Sequence, residues 1–167
     1  MKTDRLKLIP IDNNDFEIFK EINTNNFVRK YLWDDNIMPD DVFRQILNDV
    51  ELHFEKDNWG LWKIMLLDSQ VVIGYAGLWL FFDEYQPQLL YAIRPEYKGK
   101  GYATESAKLI VDYAFIELRF ANLVATTDKA NVDSQRVCDR LAFKFIEEKE
   151  IEGKPILFYR LTKTSDK

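Results

Sequence analysis

Residues 89–118 constrain this chain more than any other stretch. The apolar run Leu89-Leu90-Tyr91-Ala92-Ile93 reads as a strand closed by Pro95, and Arg94-Pro95-Glu96-Tyr97-Lys98-Gly99-Lys100-Gly101 follows it. Ala103, Ala107, Ile110, Val111, Ala114, Phe115 and Leu118 then fall on one face of a helix. A strand that enters a glycine-containing basic loop and leaves as a helix offers free N–H groups and a partial positive charge to an anion. Gly99 and Gly101 remove side chains where a ligand must approach the backbone. Arg94, Lys98 and Lys100 add positive charge, so the natural guest is a phosphate or pyrophosphate. Spacing argues against two common phosphate loops. A P-loop needs four residues between its first glycine and Gly-Lys-Ser/Thr. A dinucleotide fingerprint needs a third glycine where Thr104 stands, and belongs near the start of its domain rather than past the middle.

The flanking pattern sets the fold class. Leu6 to Ile9 gives a first strand, stopped at Pro10. Asp12 or Asn13 caps a helix carrying Phe16, Phe19 and Ile22, and Val28 to Trp33 is a second helical piece. Pro39-Asp40-Asp41 starts a longer helix with Phe43, Ile46, Leu47, Val50 and Phe54 on one side. Trp59 to Leu67 and Val71 to Phe82 read as strands around a turn at Asp68-Ser69-Gln70, and Gln88 to Ile93 is the next. After the glycine-loop helix come a strand at Leu123–Thr127, a helix at Asn131–Leu141, a strand at Phe143–Glu150, and a last strand at Ile156–Leu161 beyond the turn Glu152-Gly153-Lys154. The tail from Thr162 to Lys167 is polar and expected to be loose. This order predicts an α/β (mixed α+β) domain over residues 1–167. Its sheet of about seven strands is mixed but mostly antiparallel, with helices on both faces.

Charge and cysteine content narrow the partners. The net charge of −5 argues against a general nucleic-acid binder, which needs a basic face. One cysteine, Cys138, rules out an intramolecular disulfide and fits a reducing cytoplasm. The charged start Met1-Lys2-Thr3-Asp4-Arg5 lacks the apolar core of a secretion signal. The longest uncharged apolar run, Val71–Phe82, is too short to span a bilayer. A cytoplasmic protein with no membrane partner and no metal is expected, as monomer or homodimer.

Lys98-Gly99-Lys100-Gly101-Tyr102-Ala103 resembles the acetyl-CoA loop of the GNAT family of N-acetyltransferases. The longer run Arg94 to Glu105 resembles the Rim-type branch, which acetylates ribosomal-protein N-termini. A second block, Asn131-Val132-Asp133-Ser134 with Arg136-Val137 and then Leu141-Ala142-Phe143, is similar to that branch's Asn-x-x-Ser helix and its Leu-Gly-Phe ending. The resemblance implies the acyl-CoA N-acyltransferase fold, whose parallel strand pair splays open, with the acetyl-CoA-binding core at about 88–143. Acetyl-CoA would be the acyl-donor cosubstrate. Backbone groups of Gly99, Lys100, Gly101, Tyr102, Ala103 and Thr104 would bind its pyrophosphate, with Lys98 at the family's Arg/Gln position. The strand from Tyr91 through Ala92, Ile93 and Arg94 would pair with pantetheine. Asn131 would hydrogen-bond that arm, Ser134 would sit near the sulfur, and Arg136 or Arg140 would reach the adenosine phosphates.

The implied reaction is direct attack of a neutral primary amine on the thioester within a ternary complex. An α-amine near pKa 7.7–8.0 is partly neutral at pH 7, whereas a lysine amine near 10.4 needs more help from a base. Many family members donate a proton to the leaving thiolate from a tyrosine seven residues after the helix asparagine. Cys138 stands there, which leaves Ser134 as the preferred donor, directly or through water, and Cys138 as the weaker alternative. Relatives often carry a Glu base where this chain has Gln88, so Asp83, Glu84 and Asp128 are the base candidates. His53 reads as a surface residue. Trp33, Trp59, Trp79 and Tyr85 are candidates to line the acceptor side. Eight acidic residues against four Lys/Arg between Arg29 and Asp57 would attract a cationic amine. The acceptor is a protein N-terminus or a small-molecule amine. The alternative to an enzyme is a non-catalytic acyl-CoA-binding or regulatory module on the same fold.

Overall fold

The computed structural model describes residues 1–82 and 84–163. Among these, seven strands form one sheet in the order β1-β2-β3-β4-β5-β7-β6. They are β1 Leu6–Pro10, β2 Leu61–Leu66, β3 Val72–Trp79, β4 Gln88–Ile93, β5 Asn122–Asp128, β6 Lys144–Ile151 and β7 Lys154–Thr162. The helices are α1 Phe16–Thr24, α2 Asn26–Leu32, α3 Asp40–Asp57, α4 Tyr102–Ile116 and α5 Val132–Arg140. The expected order of elements is therefore present. No helix among the described residues is long and apolar enough to cross a membrane.

All strand pairs are antiparallel except β4 with β5, which is parallel and shares the single registered pair Leu89↔Ala125. Beyond Leu89 the two strands part. The sheet is thus a four-stranded and a three-stranded antiparallel unit joined at one point.

Two cores lie on opposite faces. One runs from β1 to β7, packing Leu8, Ile64 and Leu89 with Leu123 and Leu157 under Ala107, Ile110 and Ala114 of α4 and Val137 of α5. The other joins Phe19 and Ile22 of α1, Phe43, Leu47 and Val50 of α3, and Tyr75 of β3, and reaches no further along the chain than Ala92. Helices therefore cover both faces of β2–β4 but one face of β5 and β7, while β6 is exposed at the sheet edge. Alternation within β4 follows from this: Leu89 and Ile93 face the α4 side, and Ala92 the α1–α3 side.

The expected third strand, Val71–Phe82, is longer than β3. Leu80 to Phe82 leave the sheet, with Phe82 at φ 52°, and Phe81 and Phe82 line a cleft instead. Their apolar character serves the cleft rather than the ladder. α4 likewise stops at Ile116, before Leu118, and Arg119 turns the chain at φ 57°.

Candidate active site

The parting of β4 and β5 opens a cleft of about 290 Å³. Leu89 to Ile93 form one wall, and Thr126, Thr127, Asp128, Asn131 and Ser134 form the other. Phe27 and Tyr31 of α2, Phe81 and Phe82 close its sides. A second depression adjoins it, lined by Gly99, Gly101, Tyr102, Thr104, Arg136 and Arg140. The two share Ile93, Lys98, Ala103, Asp133 and Val137, so a long ligand resting on the glycine loop leads into the cleft.

The loop geometry follows from its glycines. Gly99 lies at φ 74° and Gly101 at φ 83°, conformations that cost other L-residues about 1–2 kcal/mol. Gly101 begins α4 with no side-chain cap, and the first helical bond runs from Glu105 N–H to Gly101 O at 3.0 Å. The N–H groups of Tyr102, Ala103 and Thr104 therefore lack helical acceptors. The Thr104 hydroxyl is buried with no partner, at the same place. Uncapped donors, an orphaned hydroxyl and backbone exposed at glycine together fit a phosphate group.

Sequence reasoning missed the clamp behind this loop. Arg5 donates to Glu105 from Nε at 2.9 Å and also from Nη2, and Nη1 donates to Lys100 O at 3.1 Å. Thr3 donates to Glu105 as well, and the Arg5 guanidinium lies 4.6 Å from the Tyr102 ring centroid. Because a trans peptide sets C=O and N–H opposed, tying Lys100 O to Arg5 turns the Gly101 N–H away from it.

The expected basic groups divide. Arg94 is engaged elsewhere: its side chain pairs with Glu21 at 2.6 Å and Glu96 at 3.0 Å, and its N–H donates to Ile73 O at 2.8 Å. The ion pairs with α1 and the neighbouring turn fix the end of β4, and the guanidinium is not turned to the loop. Lys98 pairs with Asp133 at 2.8 Å and lies 3.8 Å from the Phe27 ring centroid, which ties the loop to α5 and α2. That hydrogen bond and charge hold the Asp133 carboxyl below its usual range, with a smaller contribution from Arg136 at 3.3 Å. Arg136 and Arg140 line the loop-side depression, and Lys100 stands beside Tyr97.

On α5, Asn131 Oδ1 accepts from Ser134 N–H at 3.2 Å, capping the helix and leaving its amide N–H donors for the cleft. The Ser134 hydroxyl is 2.7 Å from the Tyr91 hydroxyl on the opposite wall. Tyr91 faces this way because it alternates with Ala92 on β4. Burial, more than any charge, raises its phenol above the ordinary tyrosine range; Ser134 opposes this and Cys138 and Asp133 add to it. The signal for Tyr91 was its odd position between Leu89 and Ile93, which points it towards α5.

Cys138, one turn past Ser134, is buried in the core and absent from the cleft lining, and burial pushes its thiol up to about 12. Gln88 is fully buried; its Oε1 accepts from Thr126 at 2.9 Å and its Nε2 has no partner among the described residues. Of the base candidates, Asp128 lines the cleft, Glu84 is exposed and does not, and Asp83 lies outside the described residues. His53 is not a plain surface residue: its ring stacks on Trp59 at 3.9 Å and meets Trp79 edge-on at 5.8 Å. The candidate acceptor aromatics lie elsewhere too. Trp33 donates to buried Asn23 at 2.9 Å, Trp59 is buried, Trp79 packs beside His53, and Tyr85 is fully exposed. The aromatics of the cleft are Phe27, Tyr31, Phe81, Phe82 and Tyr91.

At the far end of the cleft, Asp34 from the α2–α3 loop pairs with Lys154 of β7, beside Glu152. Asp128 and Glu152 have no ion-pair partner among the described residues, whereas both cleft lysines do. No group of three or more His, Cys, Asp or Glu among the described residues is arranged to hold a metal ion.

Residues 5–144 match the family model for the acetyltransferase (GNAT) domain. An uncharacterized N-acetyltransferase, YnaD, of Bacillus subtilis (strain 168) is 27% identical over 145 residues, 85% of this chain and 81% of that protein. The spermidine N(1)-acetyltransferase of Escherichia coli (strain K12) is 25% identical over 140 residues, 83% of this chain and 72% of that protein. Among solved structures, a RimL ribosomal L7/L12 α-N-protein acetyltransferase in complex with coenzyme A superposes with a TM-score of 0.80 at 13% identity. It covers 96% of this chain and 95% of that one, a likeness of fold.

Proposed function

The chain belongs to the GNAT acetyltransferase family and is an acyltransferase, and from that premise we propose that it moves the acetyl group of acetyl-CoA onto a primary amine by direct attack in a ternary complex. The observation that carries this reading is the continuous path from the uncapped loop at Gly99–Thr104 to the Tyr91–Ser134 pair in the β4–β5 cleft. Acetyl-CoA supplies an activated acyl group on a thiol leaving group.

The residues act as follows. Backbone N–H groups of Tyr102, Ala103 and Thr104, with the Thr104 hydroxyl, take the pyrophosphate, and Arg136 and Arg140 screen the remaining phosphate charge. Backbone groups of Tyr91 to Ile93 and the Asn131 amide hold the extended arm. Ser134 hydrogen-bonds the sulfur as negative charge develops there. Asp128 receives the amine's proton, directly or through water. The amine enters from the end lined by Phe81, Phe82, Asp128 and Glu152. The unpaired carboxylates there favour a cationic acceptor: a peptide N-terminus or a small amine such as a polyamine. The donor-binding part lies within about 88–143, in a single domain.

The test is release of free thiol from acetyl-CoA by the purified chain over a panel of peptides and small amines. Amine-dependent release is expected. Gly101→Glu places a carboxylate against the phosphates and removes at least two charge-assisted bonds, so CoA affinity falls about 100-fold or more. Unchanged CoA affinity in that variant, or no release with any amine, overturns the reading.

A further inference from the structure

At the α5 position where the resemblance leads one to expect a tyrosine this chain has Cys138, whose thiol is buried in the core rather than in the cleft. The molecule nevertheless has a phenol beside Ser134, contributed by the other wall. Tyr91 reaches across from β4 to within 2.7 Å of the Ser134 oxygen. It is the one hydrogen bond between side chains of β4 and α5 among the described residues, and it lies where the two strands have already parted. Ser134 is otherwise held by its backbone, whose N–H donates to Asn131. Its hydroxyl rotor is therefore set by Tyr91.

Resting on the acyl-transfer reading, we propose that Tyr91 is a positioning residue that donates its phenolic hydrogen to Ser134 Oγ and so leaves the serine hydroxyl proton aimed at the sulfur. The direction follows from chemistry. A phenol is the better donor of the two hydroxyls and the alcohol oxygen the better acceptor, and one shared hydrogen leaves the other free. In the transfer the nitrogen–carbon bond forms, the carbon–sulfur bond breaks, and its electron pair stays on sulfur. The proton lost by nitrogen is the one that sulfur finally gains. Tyr91 is not the source of that proton. An ordinary thiol near 8.5 is a stronger acid than a phenol held above 10, so transfer from Tyr91 to the thiolate runs uphill. A fixed, non-ionising donor is what a polarised serine needs: it is present at every working pH and requires no reorganisation during the reaction. The charged and titratable neighbours are Asp133 and Cys138 on α5 and Lys98 at the cleft mouth, and Lys98 is already paired with Asp133.

Tyr91→Phe, Ser134→Ala and the double variant test this in the full chain with acetyl-CoA and the best amine of the panel. Tyr91→Phe keeps the ring, so an unchanged melting temperature is expected. Its kcat should fall about tenfold while KM for acetyl-CoA stays within about twofold, as expected for an interaction made in the transition state. The double variant should be no slower than Ser134→Ala, because Tyr91 acts through that serine. The pH profile of Tyr91→Phe should keep the wild-type shape. An unchanged kcat, multiplicative effects in the double variant, or an alkaline limb that disappears with the phenol each overturns the assignment. Absence of thiol release by the wild type overturns the acyl-transfer reading itself, and the role of Tyr91 with it.

Discussion

Asp133 holds the position where loop, helix and cleft meet, and its carboxyl is held below the ordinary range chiefly by its hydrogen bond to Lys98. A carboxyl with a lowered folded value contributes stability that is present above the unfolded value near 3.9 and is lost as pH falls through the lowered one. The pair should therefore persist at neutral pH and release only in acid. Carboxyl-carbon NMR should place the Asp133 midpoint below about 3.9, and Lys98→Met should return it towards that value. A midpoint unmoved by Lys98→Met would show that the pairing is not the cause. Asn131 and Ser134 were singled out through the resemblance of the block at 131–143, whereas Gly99 and Gly101 were legible as a turn from their place between a strand and a helix. Arg5 was not, because its partner Glu105 is 100 positions away. Nor was the sequestration of Arg94, whose charge suggested a phosphate but whose partner Glu21 belongs to α1.

The end of α5 shows how one element accommodates a departure from its relatives' pattern. Phe143 N–H donates to Cys138 O and Ala142 N–H to Asp139 O, both at 3.0 Å, the paired bonds that close a helix through a left-handed residue. That residue is Ala142, at φ 62°, where the resembling Rim-type pattern has glycine. Alanine there costs about 1–2 kcal/mol; glycine relieves this strain, and the greater freedom it gives the unfolded chain offsets part of the gain. Ala142→Gly should stabilise the protein by about 0.5–1 kcal/mol in urea unfolding, without changing the slope. Loss of stability would mean that the alanine methyl packs more than the backbone strains. Element types and order were legible because their periodicities are long and clean. Their ends were less so. Leu80 to Phe82 read as strand because they are apolar, and nothing local distinguishes a residue that packs in a sheet from one that lines a groove.

The whole sheet is two units hinged on Leu89↔Ala125, and the helices tie them together on one face alone. The α1–α3 core belongs to the first unit entirely. Amides of β5–β7 should therefore exchange with solvent through smaller openings than those of β2 and β3, and coenzyme A laid across the join should narrow the difference. Equal protection of both units without ligand would contradict this. The pattern of strands and helices predicted a mixed sheet and the family resemblance implied its parallel junction, but neither showed that a single residue pair holds it, since register depends on how α4 and α5 pack. Past that pair the inner sides of β4 and β5 are sheet edges facing one another within the molecule. Exposed edges invite pairing with any extended chain that reaches them. The two edges converge at Leu89, and Tyr91 of β4 bridges to Ser134 of α5 across the opening between them. Backbone groups left unpaired there face an internal cleft, whereas the edges the sheet presents outwards are β1 and β6.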